Sequence, residues 1–352
     1  MTSGAQARAT GVDLHHREAE TARAIAEALR ANAQRFQQRT VLCPRSGVLP
    51  LTLGGGLTLI AVLLHHQPQP VGAAAALLLM SAVTISFVLE AFGRENPLRW
   101  VLPDRETTLA QACWGYEASP KIVVAAAGQA PEPLLGSAVQ WQRLLRLSLV
   151  AHLVLIALFA AGIVAPAATL RALSLAPAAV VLLVAALAAA SASASRRAAK
   201  HRLLSAARVL EALATIAVAQ PLQRHALCLI FFSSAPDCLF SPTLTTNDSI
   251  HARLVLLDSP ALGSSVVQVA ERAGLLHLSG ADLTLLTLAR RLAETTPEAD
   301  VRIGAVALFH ALPQNTLVIQ VGAGEDAVAS ATAFVQRLIQ ALDATSPSDE
   351  AR

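Results

Sequence analysis

Residues 46–89, SGVLPLTLGGGLTLIAVLLHHQPQPVGAAAALLLMSAVTISFVL, contain no Asp, Glu, Lys or Arg. The Gln-Pro-Gln-Pro at 67–70 splits the interval into two apolar halves, each near the roughly 20 residues that a helix needs to cross the hydrocarbon core. The pattern predicts a transmembrane hairpin. Farther along, Leu147–Leu170 and Ala172–Ser195 are charge-free on either side of Arg171. They predict a second hairpin, so four spans are expected. Arg35, Arg39 and Arg45 precede the first pair and Arg94 and Arg99 follow it; Arg143 and Arg146 precede the second, and Arg196, Arg197, Lys200 and Arg202 follow it. Positive charge collects on the cytoplasmic side. A bacterial-type inner (plasma) membrane, both termini in the cytoplasm and two short turns outside are therefore expected. Residues 1–45 read as a polar, helical segment, and the first apolar stretch comes too late for a cleaved signal peptide.

Composition agrees with a membrane location. Of 352 residues, 54% are hydrophobic and 14% charged, against about 25% charged in an average soluble domain. A net charge of +3 and a single Tyr offer none of the basic and aromatic interleaving of a nucleic-acid binder. Cys43, Cys113, Cys228 and Cys238 form neither a CxxC pair nor a dense disulfide framework, which predicts free thiols on the cytosolic side. Ionisable residues inside the spans mark transport paths, and only His152, with His65 and His66 at the first hairpin tip, qualifies. That is poor support for a transporter or channel. Gly54-Gly55-Gly56 lies in an apolar stretch with no Lys-Ser/Thr after it, and suits close helix packing rather than phosphate binding.

Outside the hairpins, apolar runs alternate between helical and strand periods. Ile25 and Leu29 share a face of an early helix with Ala22 and Ala26, and Val209, Leu210, Leu213 and Ile216 share one over 206–219. Lys121–Ala126, Ala226–Phe232, Arg253–Leu257, Val301–Phe309 and Thr316–Val321 read as strands. Ser279 with Asp282 three residues on is a capping signature for a helix carrying Leu285, Leu286, Ala289 and Leu292. A last helix carries Phe334, Val335, Leu338, Ile339 and Leu342. Continuous apolar strands between amphipathic helices predict an α/β fold with a mixed or parallel sheet sandwiched by helices. The expected layout is a helical segment over 1–45, hairpins over 46–92 and 147–195, the two parts of one α/β domain over 93–146 and 196–345, and a polar tail over 346–352.

The order of these elements and their local sequences resemble the membrane-embedded branch of the di-zinc aminopeptidases, the aminopeptidase Y and S relatives of peptidase family M twenty-eight. Glu18-Ala19-Glu20 through Ala28-Leu29 is similar to the family's early helix. The segment Ile122–Ala130 falls on its first catalytic strand, which ends in His-Tyr-Asp-Ser. Residues 201–214 fall on its Asp-Asn-Ala-Ser-Gly and following helix, Leu227–Pro236 on the strand ending in Gly-Ala-Glu-Glu, and Leu254–Ala261 on Val-Ile-Asn-Leu-Asp-Gly-Val-Gly. The resemblance implies a zinc-aminopeptidase-like fold. It also implies a site in which His and carboxylate ligands hold two zinc ions and a Glu takes a proton from the bound water.

Position by position, that chemistry is missing. Ala127 stands at the family's first His and Gln129 at the Asp that orients it; His201 stands at the bridging Asp; Ala235 and Pro236 stand at the general base and the ligand beside it. Asp258 alone keeps the family residue, and Gly322–Asp326 runs straight into the last helix where the family's final His loop would be. Ala and Pro offer no lone pair to Zn²⁺, and loss of a general base alone costs about 10²–10⁴ in rate. The sequence therefore predicts a pseudoenzyme with no catalytic residue and no cofactor. Its partners would be the bilayer and a protein or peptide bound by the peptidase-like domain. Two other readings are an active aminopeptidase with a rearranged zinc site, in which Asp258 and His201 are the weak candidate ligands, and a transporter component. His201, His225, Asp237, Asp258 and His310 lie near predicted strand ends, where a single-metal site is conceivable, whereas His277 and His310 read as polar packing residues. Cys228, inside a strand, reads as inert and Cys238 as partly exposed.

Overall fold

The computed structural model describes residues 23–43, 48–67, 69–91, 97–98, 105–116, 120–127, 138–165, 168–198, 205–233, 252–258, 266–273, 279–295, 301–305, 315–322 and 324–345. Helix α1 is described over 23–32 and buries Ile25 and Leu29, one turn apart. Strand β1 (Arg35–Cys43) then leads into α2 (Val48–His65) and α3 (Pro70–Ala91), and the chain returns as β2 (Arg105–Trp114). Strands β1 and β2 pair antiparallel from Arg35↔Cys113 to Cys43↔Arg105, so α2 and α3 sit at the tip of a two-stranded ribbon. Strand β3 (Lys121–Ala127) is followed by α4 (Ala138–Val164), α5 (Ala168–Ala198), α6 (Ser205–Ala219) and β4 (Ala226–Phe232). The rest runs β5 (Arg253–Asp258), β6 (Val267–Ala273), β7 (Ser279–Gly280), α7 (Leu283–Thr295), β8 (Val301–Ala305), β9 (Thr316–Gln320) and α8 (Glu325–Ala344).

The nine strands form one mixed sheet in the order β1-β2-β4-β3-β5-β9-β6-β7, with β8 beside β6. Its centre, β4-β3-β5-β9, is parallel. Those strands carry the continuous apolar runs Ile122–Ala127, Ala226–Phe232, Leu254–Leu257 and Leu317–Ile319, as burial on both faces requires; every residue of β4 is buried. On one face Val124, Leu229, Phe231, Val255, Leu257 and Ile319 meet Leu29 of α1, Leu210 and Leu213 of α6, Leu285 of α7, and Phe334 and Leu338 of α8. On the other, Ala125, Ile230, Phe232, Leu256 and Val318 make a second buried cluster. Among the described residues no helix joins it, so the expected helical sandwich is seen on one side only.

Helices α2, α3, α4 and α5 close into a ring, α2 against α3 and α5 and α4 against α3 and α5. Met80, Leu155, Phe159 and Val181 fill its centre, while Ile60, Leu63, Leu78, Ile85, Leu153 and Leu183 point outward. A helix apolar all round is buried in protein or in lipid. Helices α3, α4 and α5 carry spans long and apolar enough to cross a membrane, Pro70–Leu89, Arg143–Val164 and Ala168–Ala190; in α2 the apolar run Pro50–His65 is shorter. Small residues let the ring close. A Cβ on Gly55 would collide with Ala185 of α5, and one on Gly54 would lie 2.7 Å from the ring of Phe87.

Several elements depart from the sequence reading. Arg35–Cys43, expected within a helical segment, is a strand; it is an edge strand with mostly exposed side chains and lacks the apolar alternation that betrays a half-buried one. Strands β2 and β6 are polar enough to escape notice for the same reason. Helix α4 ends at Val164 and α5 begins at Ala168, so the second turn precedes Arg171, which lies in the first turn of α5. Asp282 itself caps α7, its Oδ1 accepting the N–H of Leu285 at 2.9 Å, and Ser279 belongs to β7. Cys113 and Cys228 are not free thiols: they form a disulfide between directly opposed residues of β2 and β4.

Candidate functional site

Three segments matched to the family's ligand-bearing strands are adjacent in space: β4, β3 and β5 are parallel neighbours. Ala126 pairs with Leu257 and Ala127 with Phe232, so Ala127 and Asp258 stand at the same level, side by side, where the strands end. This carboxyl edge of a parallel sheet is where α/β folds place their ligand crevice. Strands β3 and β4 stay apolar to their last residues, Ala127 and Phe232, and β5 stays apolar to Leu257, one residue before Asp258.

The chemistry of that edge is sparse. Ala127 offers only a methyl group and is buried. The Asp258 carboxylate, 4% exposed, accepts the amide N–H of Gln320 at 3.0 Å through Oδ2, and its carbonyl oxygen accepts the N–H of Val321 at 2.7 Å. Gln320 reaches it because β9 lies next to β5, a neighbour that no sequence signal announced. At the end of β4, the Ser233 hydroxyl lies 3.1 Å from the Thr107 hydroxyl and accepts the N–H of Thr108 at 3.0 Å. A di-zinc centre needs several imidazole and carboxylate ligands turned to one point. Among the described residues at the ends of β3, β4 and β5, Asp258 is the one carboxylate; it is held by an amide and does not fit such a centre. Among the described residues no three His, Cys, Asp or Glu side chains gather as a metal group. Gln129, His201, Ala235 and Pro236 lie outside the described residues, as do Asp237, His277 and His310.

His225 does not belong to this edge. It precedes β4 and so sits at the opposite end of the sheet from Asp258, about 20 Å away at 3.3 Å per strand residue. Its ring Nδ1 is 3.2 Å from the Asp343 carboxylate of α8. That carboxylate also accepts the backbone N–H groups of Gln223, Arg224 and His225 at 2.8, 2.9 and 2.9 Å. Burial pushes the Asp343 carboxyl up, but the three N–H groups and the imidazole outweigh it and hold it below the ordinary value. The cluster ties the end of α8 to the turn before β4, which is a structural task.

Inside the helical ring, His65 is buried with its ring 4.5 Å from that of Phe159, and among the described residues neither ring nitrogen has a hydrogen-bond partner. His152 binds the Ser148 carbonyl through Nδ1 at 2.7 Å, its Nε2 has no partner among the described residues, and Phe87 stands edge-on at 5.5 Å. The sequence placed His65 at a hairpin tip; its burial comes from the close approach of Gly162, where a Cβ would lie 2.5 Å from the imidazole. A groove between α6 and α8 is lined by Arg208, Ala212, Glu325, Val328, Thr332 and Gln336.

No protein-family model, curated protein or solved structure matches the chain.

Proposed function

We propose that this chain is a multi-pass membrane protein whose sheet domain is a catalytically degenerate, zinc-aminopeptidase-like module that binds or scaffolds a protein or peptide. The observation that carries the reading is the adjacency of β4, β3 and β5. Three segments aligned by sequence to ligand-bearing strands are spatial neighbours that end at one edge, yet that edge holds Ala127 and an amide-bound Asp258. A binding role needs the scaffold and its crevice; hydrolysis needs ligands that Ala cannot supply.

In this reading α2 joins the three longer helices as a fourth span, and the four act as two hairpins. Arginines flank the polar ends of each pair, while the turns carry no Lys or Arg and Arg171 lies in the first turn of α5, which supports a bacterial-type inner membrane with the sheet domain and both termini inside. The Cys113–Cys228 bond then faces a compartment where thiols are kept reduced, and the bonded form is the oxidised state of the domain.

The test is metal analysis of detergent-purified protein together with assays for release of N-terminal amino acids from chromogenic substrates. The reading predicts neither zinc nor turnover. Chelator-sensitive turnover that disappears in a His201→Ala, Asp258→Ala double variant would establish the active aminopeptidase instead.

A further inference from the structure

Helices α6 and α8 pack side by side and run the same way. Helix α6 ends just before β4 begins and α8 starts just after β9 ends, and β4 and β9 belong to one parallel set. Both helices therefore point from the carboxyl edge toward the opposite one. Their levels are fixed at the far end, where the Gln220 side-chain carbonyl accepts amide N–H groups from Gln336 at 3.0 Å and from Gln340 at 2.8 Å. Counted back in step from there, Ala212 stands level with Ala329. Arg208, in the first turn of α6, stands level with Glu325, the first residue of α8.

The groove between these helices is open. Arg208, Glu325, Ala329 and Ala333 are exposed, while the inner sides of both helices are committed to the sheet. Six of the eight lining residues are uncharged and three of those are alanines, small enough for another helix to come close. Arg208 and Glu325 are the charged pair of the lining, and among the described residues neither forms an ion pair. A base and an acid at one level, on two parallel helices, make the face complementary to itself. A two-fold axis parallel to the helices sets the α8 of a second copy against α6 and its α6 against α8. Arg208 then meets the partner's Glu325 and Glu325 meets the partner's Arg208, each contact being made twice as in any isologous interface.

The size of the face and the membrane bear on who the partner is. Helix α6 has 15 residues, about 22 Å at 1.5 Å per residue, and two helices packed 8–10 Å apart are about 20 Å across. The footprint is about 450 Å² per copy, roughly 900 Å² in all, at the low end for a specific interface. Anchoring in a bilayer raises the local concentration of copies, as tethering does. It also holds every copy with the same edge toward the membrane, the relation that a two-fold axis parallel to the helices requires.

We propose that the α6–α8 face is a self-association surface on which a second copy of this chain docks, with α6 against the partner's α8 in both directions. The common orientation of the copies rests on the multi-pass reading above; the complementarity of the face does not.

The experiment uses the full chain in liposomes at graded lipid dilution, with donor or acceptor fluorophores fused to its end. Energy transfer should follow a monomer–dimer equilibrium. Arg208→Glu and Glu325→Arg should each weaken self-association at least about tenfold, because two pairs turn repulsive. Mixed together, the two variants should regain the parental affinity, since one copy of each restores opposite charge at both contacts, which a purely structural role of either residue would not do. A photo-crosslinking residue at Ala333 should join two copies, with the far end of the link in the partner's α6. Energy transfer no greater than random proximity, crosslinks confined to the ring helices, to lipid or to another protein, or a mixture that associates no better than either variant alone would each overturn the proposal. If alkaline carbonate releases the protein from membranes, the multi-pass reading fails, and the same mixtures are then followed by sedimentation: recovery on mixing supports the face, and none overturns it.

Discussion

Breaking the Cys113–Cys228 bond is the perturbation whose magnitude the structure fixes best. The bond closes a loop of 115 residues. In the chain-entropy account, a closure of that length restricts the unfolded chain by about 5 kcal/mol at 25 °C. Helices α4 and α5, which lie inside the loop, stay helical in a membrane-bound unfolded state; discounting them roughly halves the loop, and the logarithm lowers the figure only to about 4 kcal/mol. The bond joins β2 to β4, so it also crosses the seam between the ribbon that carries α2 and α3 and the rest of the sheet. Trp114, next to Cys113, is buried and donates its indole N–H to the Asn32 carbonyl at 2.8 Å, which makes it a local reporter once Trp100 and Trp141 are replaced by Phe. With an unfolding slope of about 2 kcal/mol per molar urea, reduction or Cys113→Ala/Cys228→Ala should move the Trp114 midpoint down by about 2 M. A midpoint that moves by less than about a quarter of that, or oxidised protein in which both thiols react with maleimide after unfolding, would refute the reasoning.

Other expectations follow from single contacts. Asp343→Ala removes the acceptor of four hydrogen bonds and should cost about 1.5–3 kcal/mol. Because folding lowers the Asp343 pKa, its contribution is complete above the unfolded value of about 4 and is lost as pH falls through the lower folded value; acid titration of Asp343→Asn should lack that component. Gly55→Leu places a side chain where Ala185 sits and should destabilise the helical ring by about 1–3 kcal/mol, seen as earlier thermal aggregation in detergent with Trp114 unchanged. Phe231→Ala, emptying a side chain buried between sheet and helices, should cost about 3–5 kcal/mol in the same urea assay that leaves the ring intact.

The legible parts of this fold were those with strong periodicity. Strands β3, β4, β5 and β9 are buried on both faces, so their apolar runs stand out, and α6, α7 and α8 show one apolar side each. The polar ribbon β1–β2 was invisible because an edge strand such as Arg35–Cys43 has little to bury and its register comes from its partner. The disulfide was equally hidden: Cys113 and Cys228 are distant in sequence and meet only because β2 runs antiparallel to β4. At the candidate site, Ala127 and Asp258 could be placed at strand ends from the apolar runs before them. Gln320 could not, since its contact with Asp258 depends on strand order. His225 looked similar to Asp258 in sequence, being next to a strand, but it sits at the other end, committed to Asp343.

Zinc content, measured by mass spectrometry on detergent-purified full-length protein and on Asp258→Ala, tests the central claim most directly. A degenerate site predicts background zinc in both preparations, with Asp258→Ala indistinguishable from the parent. Stoichiometric zinc in the parent that is lost in Asp258→Ala would contradict it and restore a metal centre to the carboxyl edge.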